Sequence, residues 1–165
     1  MNHLILIVGP SGSGKDTIID YACNKIPLNK IKRFITRPKN DFEDFESVTD
    51  DEFESMEFFI SWEAHGKKYG IPLLDPDKNY IINVSRNIIN KIKERYLNTI
   101  VIELTARLEI LRKRLTQRGR DPPSEVEARL KRDIIIDSNL IIETSNPDIS
   151  IAGDVLVNFL KEKLF

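Results

Sequence analysis

The stretch GPSGSGKDT, Gly9 to Thr17, concentrates residue types that hold phosphate. Glycines at this density let backbone N–H groups turn inward on phosphate oxygens, and a helix starting just behind them offers its positive end to the same anion. Lys15 adds a full charge for the β- and γ-phosphates. Gly9, Pro10, Ser11, Gly12, Ser13, Gly14, Lys15, Asp16 and Thr17 are therefore the candidate nucleotide-binding set, with ATP as donor and Mg2+ as its counter-ion. The usual G-x-x-x-x-G-K continues with Ser or Thr, whose hydroxyl touches the magnesium. Here Asp16 stands in that place, and two arrangements stay open. Its carboxylate serves the metal directly or through water, as a hard oxygen ligand suits Mg2+. Otherwise it points away, favouring the helix N-terminus, and Thr17 offers its hydroxyl instead. The segment YIINVSR bears on this choice: a phosphate-loop enzyme often carries an Asp at the end of a neighbouring strand to hold the metal shell, and this chain has Asn83. The acidic group has, on this reading, moved from strand end to loop.

A second concentration of charge lies in LEILRKRLTQRGRDPPSEVEARLKR. Arg114 and Arg118 are one helical turn apart, and Arg129 and Arg132 are three apart on the next helix. Gly119 and Pro122-Pro123 mark a short connection between them. Two helix ends bringing guanidiniums over a γ-phosphate would exclude water and stabilise the transferring charge, so Arg118, Arg120 and Arg129 join Lys15 as candidate catalytic residues. Arg112 and Arg132 read better as solvated surface. Arg86 follows a strand end, where ligands of α/β sheets gather, and is a candidate substrate cation. Asn146, after the last strand, is placed near the adenine through its backbone.

These groups need a frame. Four short apolar runs, Leu4-Val8, Tyr80-Val84, Thr99-Leu104 and Leu140-Glu143, alternate with helical patterns, which predicts an α/β domain with a mainly parallel sheet. Helices are expected from Lys15, from Ser85 to about Tyr96, after Thr105 to a C-terminal stop at Gly119, from a Ser124/Glu127 capping box to about Asp137, and over about Ile151–Lys163. Residues between the first helix and Tyr80 differ in texture, with an acidic run, aromatics, hairpin-like pieces around Gly66 and Gly70, and a short helix capped by Thr49 and Glu52. This predicts one domain over 1–165: core 1–30, 79–113 and 130–165, a substrate-covering insertion 31–78, and a lid at about 114–129.

With 165 residues the chain can bury a full core without cross-links. Its single cysteine, Cys23, belongs to a helix face beside Ile19 and Ala22 and reads as structural. Lys+Arg 25 against Asp+Glu 26 gives a net charge of −1, which argues against a general nucleic-acid binder. No apolar run approaches the roughly 18 residues of a membrane span, and the N-terminus has no signal-peptide pattern. A cytoplasmic protein without membrane contact is expected. His3 and His65 are too isolated to suggest a metal site.

Taken together, GPSGSGK, Thr36-Pro38, Tyr69-Gly70, RLTQRGR at Arg114-Arg120 and Glu127-Leu130 resemble the guanylate kinase fold group, over most of the chain. That resemblance implies a three-layer α/β/α nucleoside-monophosphate-kinase-like P-loop fold with an acceptor subdomain and a lid. Guanylate kinases follow TR-x-P with a second arginine, a Gly-Glu pair and an Asp-Tyr pair that read GMP; KNDFEDFESVTDDEF after Pro38 departs from this. The sequence is more similar to the ribose 1,5-bisphosphate phosphokinase family of the phosphonate pathway. Shared with that family are GPSGSGKD, Ile35-Pro38, Ser61-Gly66 running into Tyr69-Gly70, Asn83-Arg86, and Arg118-Arg120.

The resemblance implies transfer of the γ-phosphoryl of ATP to the 1-phosphate of ribose 1,5-bisphosphate, giving 5-phosphoribosyl 1-diphosphate (PRPP). A phosphate acceptor is already ionised at neutral pH, so no general base is required and positioning with charge neutralisation carries the rate. Arg37, by its place in the TR match, and Arg86 would hold the acceptor phosphates, with Tyr69 donating its hydroxyl. Trp62 reads as core or pocket wall. Two alternatives stand: a nucleoside monophosphate kinase, GMP being the nearest acceptor, and a non-catalytic guanylate-kinase-like binding domain. The second fits poorly with the presence of Lys15 and the lid arginines. The implied partners are a sugar phosphate and ATP, and a homodimer is left open.

Overall fold

The computed structural model describes residues 2–41, 43–119, 123–130 and 136–165, without the side chains of 125 and 128–130. Its centre is β1 (Leu4–Val8), whose five residues are all fully buried. A strand covered on both faces must be apolar at every position, and burying each Leu, Ile or Val contributes about 1.5–3 kcal/mol. Around it runs a five-stranded sheet in the order β2 (Asn29–Lys30), β7 (Tyr80–Asn83), β1, β8 (Thr99–Thr105), β9 (Leu140–Glu143). Every pairing in it is parallel, with Leu4 opposite both Tyr80 and Thr99. The four expected strands are present to within a residue at their ends; β2 is an addition, two residues that no apolar run announces.

One face of the sheet, with Ile5, Ile7, Ile81 and Ile102, is covered by α1 (Lys15–Lys25) and α6 (Ile149–Leu164). Cys23 is half-buried against this cluster, and burial raises its thiol pKa, which keeps it inert at neutral pH. The opposite face, with Leu4, Leu6, Val8 and Ile82, meets α3 (Ile89–Arg95) and Ile60 and Ile71 of a second sheet. These layers make the α/β/α sandwich. Ser85 caps a single 3-10 turn, Arg86–Ile88, ahead of α3. The next helix, α4 (Leu108–Arg118), stops at Gly119 in the left-handed conformation (φ 62°). Ser124 lies inside the helix and not ahead of it: α5 (Pro123–Leu130) starts one residue earlier, with Pro123 in the first turn where its missing N–H costs nothing. Glu127 instead pairs with Arg112 at 2.6 Å. Nor does a helix extend to Asp137, since Ile136 and Asp137 are not helical; 131–135 lie outside the described residues.

Residues 31–78 carry the second sheet, ordered β4 (Phe45–Ser47), β3 (Arg33–Ile35), β6 (Lys67–Pro72), β5 (Phe58–Ala64), and the short helix α2 (Asp50–Glu54). The Thr49/Glu52 capping box forms as expected. Strands β5 and β6 make a hairpin through His65 and Gly66, both at positive φ. Gly70 plays another part. It sits inside β6, and a Cβ there would come within 2.5 Å of the Phe58 ring, so the glycine lets that ring lie across the strand beside Tyr69. Gly70→Ala is expected to lower stability by about 1–3 kcal/mol, read as a reduced denaturant midpoint at unchanged slope.

Candidate functional site

The phosphate loop leaves the C-terminal end of β1 at Gly9, where a Cβ would stand 2.7 Å from the Leu104 carbonyl oxygen of β8. Only glycine permits that approach. Gly14, at φ 86° and ψ 31°, caps α1, so the helix begins at Lys15 with its free N–H groups around the loop. The Lys15 ammonium donates to the carbonyl of Gly9 at 2.8 Å and reaches that of Pro10 at 3.4 Å. Removal from water and, next, the positive charge of Arg33 push its pKa down to about 8, against the opposing pull of Glu43 and Asp16. Arg118 adds a smaller downward push.

A second set of bonds ties the loop to the far end of the sheet. Arg114, on α4, donates to the Gly12 carbonyl at 3.0 Å and to the Thr144 carbonyl at 2.5 Å. The Thr144 hydroxyl in turn donates to the Ser13 carbonyl at 2.7 Å. Ser13 is fully buried, and among the described residues its hydroxyl has no hydrogen-bond partner. Gly12, Gly14, Thr17, Arg118 and Asn146 share the wall of a cavity of about 400 Å3 with Arg114. The Asn146 side-chain oxygen accepts from the Asp148 N–H at 2.9 Å.

Asp16 is half-buried. One carboxylate oxygen meets the Asn83 amide at 3.4 Å and the other accepts from the Asp44 N–H at 3.3 Å. The residue at the strand end and the residue in the loop, separated by 67 positions, are thus neighbours. Thr17 is exposed on the cavity side.

Arg37 is fixed at three points. Its guanidinium lies over the Phe45 ring, 4.7 Å from the centroid, and donates to Glu43 at 2.9 Å, while its carbonyl accepts from the Ser47 hydroxyl at 2.5 Å. Its Nε is buried and has no hydrogen-bond partner among the described residues. Arg37 also lines a second cavity, of about 270 Å3, with Thr36, Ser47 and Thr49. Tyr69 stacks flat on Trp62, ring centroids 5.4 Å apart and planes 10° from parallel. Arg86 is half-buried and makes no ion pair among the described residues. Arg120 lies outside the described residues, as does the side chain of Arg129.

The structure therefore brings Gly12, Ser13, Gly14, Thr17, Arg118 and Asn146 to one cavity, and Asp16 to Asn83, while Arg37 lines a separate opening. It adds Arg33 and Glu43, which sequence reasoning passed over, and gives Arg114 and Thr144 a task that reasoning had not assigned them. Arg33 and Arg37 share one carboxylate oxygen of Glu43, and Arg114 and Thr144 brace the loop. Arg33 left one signal, a charge beside the apolar pair Phe34-Ile35; Glu43 left none within its acidic run. In ligand-free protein, pH-dependent labelling of amines followed by peptide mapping should show Lys15 titrating at about 8, more than two units below an exposed lysine's ~10.4.

No family model matches the chain. It is 41% identical over 139 residues to the ribose 1,5-bisphosphate phosphokinase PhnN of Acidiphilium cryptum (strain JF-5), covering 79% of this chain and 76% of the relative. Identity to the protein of the same name from Rhodopseudomonas palustris is 35% over 167 residues, 93% of this chain and 86% of the relative. Among solved structures, guanylate kinase from Anaplasma phagocytophilum superposes with a TM-score of 0.67 at 18% identity, over 99% of this chain and 87% of that one.

Proposed function

Because the chain belongs to the ribose 1,5-bisphosphate phosphokinase family, we propose that it transfers the γ-phosphoryl group of ATP to the 1-phosphate of ribose 1,5-bisphosphate, yielding PRPP and ADP. The extent of identity to the curated phosphokinases carries the reading. An oxygen of the acceptor's 1-phosphate bonds to the γ-phosphorus as the bond from that phosphorus to the β–γ bridging oxygen breaks, and ADP leaves with the electron pair. The acceptor oxygen is ionised before it attacks, so no side chain has to remove a proton.

The residues then divide by task. Backbone N–H groups of residues 9–14 and the Lys15 ammonium hold the β- and γ-phosphates. Arg118, together with Arg120 and Arg129, neutralises the charge in transfer, and Asn146 meets the adenine through its backbone. Arg37, Tyr69 and Arg86 hold the acceptor. The donor set around Asp16 fits Mg2+: a hard carboxylate beside the Asn83 amide at the start of the phosphate-binding helix, for an ion that keeps waters and substrate oxygens in its shell. Asp16 would hold it, with Thr17 as second donor, and the ion's charge would offset that of the triphosphate. The balanced net charge supports small phosphorylated substrates over a nucleic-acid partner. A cytoplasmic location is part of the same reading, and no helix among the described residues is long and apolar enough to cross a membrane.

The deciding experiment is an ADP-release assay with ribose 1,5-bisphosphate and GMP side by side. Turnover of the sugar and none of GMP is expected; turnover of GMP alone would overturn the reading. For the metal, Asp16→Asn should raise the Mg2+ concentration at half-maximal activity by about tenfold or more. An unchanged Mg2+ titration would remove Asp16 from the metal shell.

A further inference from the structure

Arg37 is the one arginine in the stretch from Phe34 to Asn79, and Lys39 and Asn40 follow shortly after it. A second guanidinium nevertheless stands beside Arg37. It comes from the preceding strand. Arg33, on β3, is only 8% exposed, and its Nη2 lies 3.5 Å from the same Glu43 Oε2 that Arg37 Nη2 contacts at 2.9 Å. One carboxylate oxygen thus sits between two guanidiniums. The geometry points to a phosphate seat built from Arg33 and Arg37, with Glu43 as its resident anion, which the acceptor's attacking phosphate replaces.

Three observations support this. The buried Arg33 guanidinium needs an anion, and Glu43 supplies one only at 3.5 Å, long for a charge-assisted hydrogen bond that a phosphate dianion, with more oxygens and more charge, would tighten. The Arg37 guanidinium is already oriented by Phe45 and keeps a buried Nε with no partner among the described residues, so it has donor capacity left for a phosphate. Neighbouring Asp44 contacts Asp16 through its backbone N–H, so the loop carrying the resident anion touches the phosphate loop directly.

The inference rests on the phosphotransfer reading but not on the identity of the acceptor, and two variants test it. Each is assayed with whichever phosphate acceptor the wild type uses, ribose 1,5-bisphosphate or GMP, so that an error about the acceptor shows in the wild type alone. Lysine cannot reproduce the fork of a guanidinium, and Arg33→Lys should raise the acceptor KM about tenfold while the ATP KM moves less than about twofold. A folded Arg33→Lys protein with an unchanged acceptor KM overturns the seat. Glu43→Gln removes the competing anion. It should lower the acceptor KM by about threefold or more, and inorganic phosphate should raise its melting temperature more than that of the wild type. If Arg33→Lys does not fold, Glu43→Gln decides alone: an acceptor KM that is unchanged or raised, with no extra stabilisation by phosphate, refutes the proposal.

Discussion

Positive charges are gathered around the phosphate loop, partly shielded from water, and the surrounding structure serves to make that tolerable. Lys15 and Arg33 come close enough for one to depress the pKa of the other, with Arg118 adding to the same field. Such a cluster falls apart unless anions are placed among the cations. Glu43 and Asp16 are those anions, and both oppose the downward shift of Lys15. Neither works alone: Glu43 is fixed by Arg33 and Arg37, and Asp16 by Asn83 and the Asp44 N–H. On the proposed reading, a phosphate ligand would enter a place whose positive charge is already assembled, which would leave little reorganisation for the moment of transfer.

The two sheets divide this work. The parallel sheet supplies one position, the C-terminal end of β1, from which Gly9 passes within van der Waals reach of β8 and the loop turns into α1. The smaller sheet supplies the opposing arginines, Arg33 from β3 and Arg37 just beyond it, with Phe45 of β4 beneath the guanidinium. They are joined through the apolar cluster that Ile60 and Ile71 form with Leu4, Leu6 and Val8. Arg114 does the comparable task on the other side, where its fork binds one carbonyl of the loop and one from the end of β9.

Much of this could be read from the residues. Periodicity located β1, β7, β8 and β9, because strands buried in a parallel sheet leave unbroken apolar runs. It failed for β2, whose two residues are too few to carry a pattern, and for the helix expected up to Asp137, where the non-helical Ile136 and Asp137 set the limit. The Ser124/Glu127 spacing was misleading for a local reason: Pro123 already fills the first helical turn, and Glu127 finds a stronger partner in Arg112.

What the sequence determined by itself is the chemistry confined to one contiguous stretch: the glycines, Lys15 and Asp16 between an apolar strand and a helix, a motif whose phosphate-holding groups are neighbours along the chain. The tertiary structure alone decided which charges share a field. Asn83 reaches Asp16 across 67 positions, and Thr144 reaches Ser13 across 131. Arg33 and Glu43 sit only 10 apart in the chain, but their pairing depends on β3 and β4 lying parallel in one small sheet. Coulomb interactions and hydrogen bonds depend on distance in space and on exclusion of water. Neither quantity is written in the order of residues along a chain.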